Sequence, residues 1–122
     1  MTSMTKNSCK MPDLKGIQEI YVEDGGKKKL GRELRRVLSK YGYMMPTDEA
    51  LGSLVFMLKD KFWYFRWVDI EIAIHAAANS QLNVDATDYG RPLPYSTMNK
   101  IFLDYRRRHD LFFQKRIQKL TS

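Results

Sequence analysis

The amino-acid sequence predicts an all-α fold, a single-domain orthogonal bundle of four to five helices with a long loop before the C-terminal helix. Three observations lead there. Apolar side chains recur with helical spacing in several segments, Gly- and Pro-containing breaks separate those segments, and the 122-residue chain is 43% hydrophobic and 12% aromatic, the composition of a globular domain. A chain of this length buries enough surface to fold without a disulfide or a metal. Its one cysteine, Cys9, cannot form an internal disulfide, so a reducing, cytoplasmic setting is expected. No apolar run is long enough for a transmembrane helix, and the N-terminal stretch lacks the apolar core of a signal peptide.

Residues 1–12 are polar, end in Pro12 and predict a mobile N-terminal arm, leaving 13–122 as a single helical domain. Leu14, Ile17, Ile20 and Tyr21 have helical spacing behind Asp13 as a cap. The β-branched run Ile20-Tyr21-Val22 also allows a strand, and a short helix is the expectation. After a break at Asp24-Gly25-Gly26, a helix over 27–41 carries Leu30, Leu34, Val37, Leu38 and Tyr41 on one stripe, with Gly42 as its C-cap. A helix starting after Pro46 and ending near Asp60 has Thr47 as N-cap, Asp48 and Glu49 in its first turn, and a stripe of Leu51, Leu54, Val55 and Leu58.

The run Phe62-Trp63-Tyr64-Phe65-Arg66-Trp67 packs five aromatics into six residues, more than one helix face of a small bundle covers. The run is therefore expected to be partly exposed, or buried only in an oligomer, with Trp63 and Tyr64 as the exposed pair of a partner interface. In 69–80 the alternation of Val68, Ile70, Ile72 and Ile74 has strand character, but Ala73, Ala76, Ala77 and Ala78 favour a helix. Residues 81–95 show no periodicity and predict a loop, either functional or packed as a small Ω-like unit. One long helix over 96–120, capped by Ser96, puts Met98, Ile101, Phe102, Tyr105, His109, Phe112, Phe113 and Leu120 on its apolar side.

The net charge of +7 is unevenly placed. The stretch 27–40 carries seven Lys/Arg against Glu33 alone, and 100–119 carries seven against Asp104 and Asp110. Concentrated positive charge attracts polyanions. Lys28, Arg32, Arg35 and Arg36 on the first basic helix, and Lys100, Arg107, Arg108 and Lys115 on the last, are the candidate phosphate contacts. The two faces are expected to merge into one positive surface, since each lies opposite an apolar stripe. Lys27, Lys28 and Lys29 open a helix against its dipole, which costs a few tenths of a kcal/mol per charge and implies another use for them. The Arg106-Arg107-Arg108 triplet spans about 200° of helix, so Arg106 is expected to pair with Asp110 rather than to bind.

Glu71 and His75, four apart on one helix face, have the spacing of two metal ligands, but no third ligand stands at suitable spacing. Asp85-Ala86-Thr87-Asp88 lacks the glycine and terminal glutamate of a calcium loop. Gly25-Gly26-Lys27 lacks the first glycine and following hydroxyl of a phosphate loop, and no nucleophile–base arrangement has local context. No catalytic residue, metal or cofactor is expected.

The stretch from Trp67 to His75, then Leu82, a Tyr/Pro loop and a helix containing Ile101-Phe102-Leu103-Asp104-Tyr105-Arg106-Arg107-Arg108, resembles small uncharacterised helical proteins of Bacteroidetes phages and mobile elements. The resemblance implies an all-helical fold and a genome-maintenance or virion-assembly setting, and it transfers no catalytic residue. The function expected is non-enzymatic nucleic-acid binding through phosphate contacts, in DNA or RNA, as a replication or packaging accessory. The alternative is a structural or adaptor protein, a virion connector or helicase adaptor, whose basic faces meet acidic protein. A protein partner or a second protomer is the expected occupant of the aromatic run, and no membrane is expected.

Overall fold

The computed structural model describes residues 14–122, so the arm over 1–12, Cys9 and Asp13 lie outside the described residues; the first described helix starts behind Gly16 rather than at an Asp13 cap, and Leu14 precedes it, exposed. Among the described residues six helices share one hydrophobic core: α1 (Ile17–Tyr21), α2 (Gly26–Lys40), α3 (Asp48–Lys61), α4 (Trp67–Ala78), α5 (Tyr95–Arg108) and α6 (Asp110–Thr121). The fold is all-α, as the periodicity predicts.

Helix α1 forms although only a single turn long, because it is lashed to the turn between α3 and α4. Ile17 N–H donates to the Phe65 carbonyl at 2.8 Å and Trp67 N–H donates to the Lys15 carbonyl at 2.9 Å. Ile17 and Ile20 are buried while Val22 is exposed, so the β-branched run follows helical and not strand periodicity. Helix α2 buries Leu30, Leu34, Val37 and Leu38, its predicted stripe. It ends in a Schellman motif: Gly42 takes φ +88°, its N–H donates to the Ser39 carbonyl at 3.1 Å, and Tyr43 N–H donates to the Leu38 carbonyl at 3.0 Å. Helix α3 starts as its sequence dictates, with Ala50 N–H donating to Thr47 Oγ1 at 3.1 Å. Helix α4 begins two residues before the expected position. The Asp69 carboxylate reaches back to accept from Arg66 N–H at 2.9 Å and from the Arg66 guanidinium at 3.2 Å. Ile70 and Ile74 are buried and Ile72 is exposed, which settles the alternation in favour of the helix.

Two expectations are corrected. The predicted helix over 96–120 is two helices. It starts at Tyr95 behind Pro94 rather than at a Ser96 cap, and it breaks at His109, where φ is −122° and ψ is 36°. The break turns α6 back over the aromatic cluster, so that Phe113 stacks on Phe65 with centroids 4.7 Å apart and planes 12° apart. Phe112 and Leu120, placed on the apolar side by a continuous helix, are instead exposed. His109 is exposed too, its ring 4.7 Å from Tyr105.

The second correction concerns the aromatic run. Phe62, Tyr64, Phe65 and Trp67 are buried and Trp63 is half-buried. Tyr64 is thus a core residue and does not form an exposed pair with Trp63. The run lies at a turn, not on a helix face, so successive rings point in different directions and several elements cover them. Tyr64 packs edge-on to Phe113 of α6, and its hydroxyl accepts from Arg106 Nε at 3.1 Å.

The loop over 79–94 is packed. Leu82, Ala86 and Leu93 are buried, Tyr43 and Tyr89 donate their hydroxyls to the Ala86 and Ala78 carbonyls, and Met44 N–H donates to the Arg91 carbonyl at 3.1 Å. The loop is therefore a structural Ω-like unit, which accounts for its length.

Candidate nucleic-acid interface

Helix packing separates the two basic helices. Both α2 and α5 pack against α3 and α4, which stand between them, and neither is a main packing neighbour of the other. The two basic helices therefore do not build a common surface by packing side by side. Each helix turns its apolar stripe inward to the shared core.

Their charges also differ in availability. On α5, Arg107 and Arg108 both bind the Asp104 carboxylate, Arg108 at 2.9 Å, and Arg106 binds Asp110 as the sequence predicts. On the C-terminal half of α2, Arg36 binds Glu33 at 2.9 Å and Glu71 at 3.1 Å, and Lys40 also binds Glu71 at 3.1 Å. Lys29 binds Glu23 at 3.3 Å. By contrast, Lys27, Lys28 and Arg32 form no ion pair among the described residues. The same holds for Lys59, Lys61, Lys100, Lys115 and Lys119, but these are spread along α3, α5 and α6.

The unneutralised charges of α2 flank a groove of about 790 Å³ between α2 and α3. Lys27, Lys28, Arg32 and Arg35 line its α2 wall; Leu51, Val55 and Phe56 of α3 line the other. Asp48, paired with Arg35, is the one acid on its rim. Gly31 brings the helices together, because a methyl group there would lie 3.0 Å from Leu51 Cδ2. Tyr21 closes one end, with the ammonium groups of Lys27 and Lys59 each 5.5 Å from its ring centre. No acid occupies the first turn of α2, so the positive end of the helix dipole adds to this field.

Sequence reasoning named Lys28, Arg32 and Arg35 of this group as phosphate contacts and marked Lys27 only as opposing the dipole; it missed Tyr21 and Phe56. Two signals were legible. Three lysines oppose the α2 dipole, and Phe56 lies off the α3 stripe, where it is 55% exposed.

Two further hollows differ in character. One of about 520 Å³, bounded by Met44, Met45, Leu54, Leu93 and Tyr95, has no charged side chain in its lining. One of about 260 Å³ contains Glu71 and His75. Burial alone would raise the Glu71 carboxyl, but Lys40 and Arg36 outweigh it and hold it below its ordinary value. His75 Nδ1 shares a 2.9 Å hydrogen bond with the Tyr41 hydroxyl. Both side chains thus have protein partners, and no three His, Cys, Asp or Glu converge among the described residues.

Asp104 shows how firmly the α5 arginines are held. Burial would raise its carboxyl, yet the Asn83 N–H at 3.0 Å and the Arg108 and Arg107 guanidinium groups bring it from 3.8 to about 2. A carboxyl lowered on folding stabilises fully above its unfolded value, and that contribution is lost as pH falls towards the folded one. Asp104→Asn should therefore cost about 1–2 kcal/mol at neutral pH. The gap from the unsubstituted protein should narrow as pH falls from about 4 towards about 2. Urea unfolding at neutral and acid pH measures it, and a gap that ignores pH would contradict the role assigned to the carboxylate.

Fold and groove together define a small all-helical protein with one concentrated cationic, partly apolar face. No protein-family model, curated protein or solved structure matches this chain. No helix among the described residues is long and apolar enough to cross a membrane.

Proposed function

We propose that this protein binds nucleic acid without catalysis, through the groove between α2 and α3. The observation that carries this reading is the clustering of charge: Lys27, Lys28 and Arg32 stand together along one groove without acidic partners among the described residues, whereas the arginines of α5 and the last turns of α2 are bound to carboxylates. Protein cations that release counterions from phosphates give binding that is strong at low salt and largely indifferent to sequence. Such an activity suits a replication or packaging accessory of a phage or mobile element, the setting implied by the sequence resemblance.

Titration at several salt concentrations tests the reading. Three to four contacts predict a slope of log affinity against log salt of about −2 to −3 for a single strand, and about −3 to −4 for a duplex. Arg32→Ala should flatten the slope by about one contact and weaken all sequences alike. Arg107→Ala should change the slope little, because Arg107 is bound to Asp104. Binding that ignores salt, or none at low ionic strength, would favour an adaptor whose basic groove meets an acidic protein surface.

A further inference from the structure

We propose that the occupant of the α2–α3 groove is single-stranded nucleic acid, with a base lying on the Phe56 ring and the sugar–phosphate chain running past Lys28 and Arg32. This rests on the nucleic-acid reading above and adds the strandedness of the ligand. Phosphate contact by itself needs cations on a convex face and no apolar floor. Here the cations border a recess whose opposite wall is Leu51, Val55 and Phe56. Phe56 presents more than half of its surface to solvent although the core of α3 is fully formed by Leu54, Val55, Met57 and Leu58. An aromatic ring left at the surface in a field of ammonium groups has the two features that hold an unpaired strand, a π-face for stacking and charge for the backbone.

The local arrangement supports this. The Lys59 ammonium lies 6.0 Å from the Phe56 ring centre and 5.5 Å from that of Tyr21, so a cation stands between the two rings that the groove presents. Gly52 lines the groove on the α3 side, and a methyl group placed there would meet nothing within 4 Å, so the space above the backbone is open to a ligand. A duplex cannot use these features. Its bases are already stacked on one another, and it is wider than the gap between two helices packed about 8–10 Å apart. It could touch only the rim, leaving the apolar wall wet.

Fluorescence anisotropy tests the proposal, using a labelled oligothymidylate of about twelve nucleotides and a labelled duplex of equal length at low and moderate salt. The single strand should bind about tenfold or more tightly than the duplex. Phe56→Ala should lower affinity for the single strand about fivefold or more, leave its salt slope unchanged and leave duplex binding unchanged. Phe56→Trp should retain or improve binding. The fold should tolerate both variants because the side chain is exposed, and their thermal melts establish that it does. Equal binding of single strand and duplex, or a Phe56→Ala variant indistinguishable from the unsubstituted protein, would overturn the stacking proposal; Arg32→Ala would then still report on the phosphate reading. Displacement of both probes by polyglutamate, with Phe56→Ala again without effect, would mark a general polyanion site and overturn it as well. If neither probe binds at low salt, the nucleic-acid reading itself fails.

Discussion

Gly26→Ala should be among the most damaging single substitutions in this protein, lowering stability by about 3 kcal/mol or more. A methyl group at position 26 would lie 1.8 Å from the Ile20 carbonyl oxygen and 2.9 Å from its carbon, and both are backbone atoms that cannot swing aside. Helix α1 would have to move off α2, and with it Ile17 and Ile20, which are fully buried. The neighbouring glycine provides the control. Gly25 takes φ +71° but has nothing within 4 Å of an added methyl group, so Gly25→Ala incurs only the left-handed backbone penalty of about 1–2 kcal/mol. Urea unfolding of both variants separates the two causes. Equal losses would show that the pair acts through turn conformation alone, and that the close approach of α1 and α2 is not needed. Since Tyr21 closes the end of the groove, Gly26→Ala should also weaken ligand binding where the protein remains folded.

The second large effect belongs to the groove. The double reversal Lys28→Glu with Arg32→Glu should reduce nucleic-acid affinity by about 100-fold at low salt, roughly 1.4 kcal/mol for each residue. Each change removes a phosphate contact and sets a carboxylate against the strand. Both side chains are exposed and make no ion pair among the described residues, so the thermal melt should stay close to that of the unsubstituted protein. The matched reversal Arg107→Glu with Arg108→Glu should behave in the opposite way. It sets two new carboxylates beside the buried Asp104, which should lower stability, while affinity per folded molecule changes less. Binding isotherms and melts measured on the same samples distinguish the two outcomes. Similar losses of affinity from both pairs would restore a site spread over α2 and α5.

The helices were legible because their signals are local. Thr47, Asp48 and Glu49 start α3 through backbone hydrogen bonding and the dipole, and the spacing of Leu30, Leu34, Val37 and Leu38 fixes the inner face of α2. The Arg106–Asp110 pair is a four-residue helical separation and was equally readable. The sequence by itself thus determined an all-helical chain with two basic segments, each opposite an apolar stripe. It did not determine where those segments stand, because their positions depend on contacts distant along the chain. Tertiary structure decided that α3 and α4 separate α2 from α5. It decided that Glu71, more than thirty residues away, neutralises Arg36 and Lys40. It decided that the chain breaks at His109, where neither Gly nor Pro marks a stop, because the turn there lets Phe113 stack on Phe65 and the returning helix cover Tyr64. Charge along a sequence counts every cation alike. Only the fold sets carboxylates beside some of them and leaves Lys27, Lys28 and Arg32 along an open apolar groove, since an ion's availability depends on which neighbours packing brings within a few ångströms.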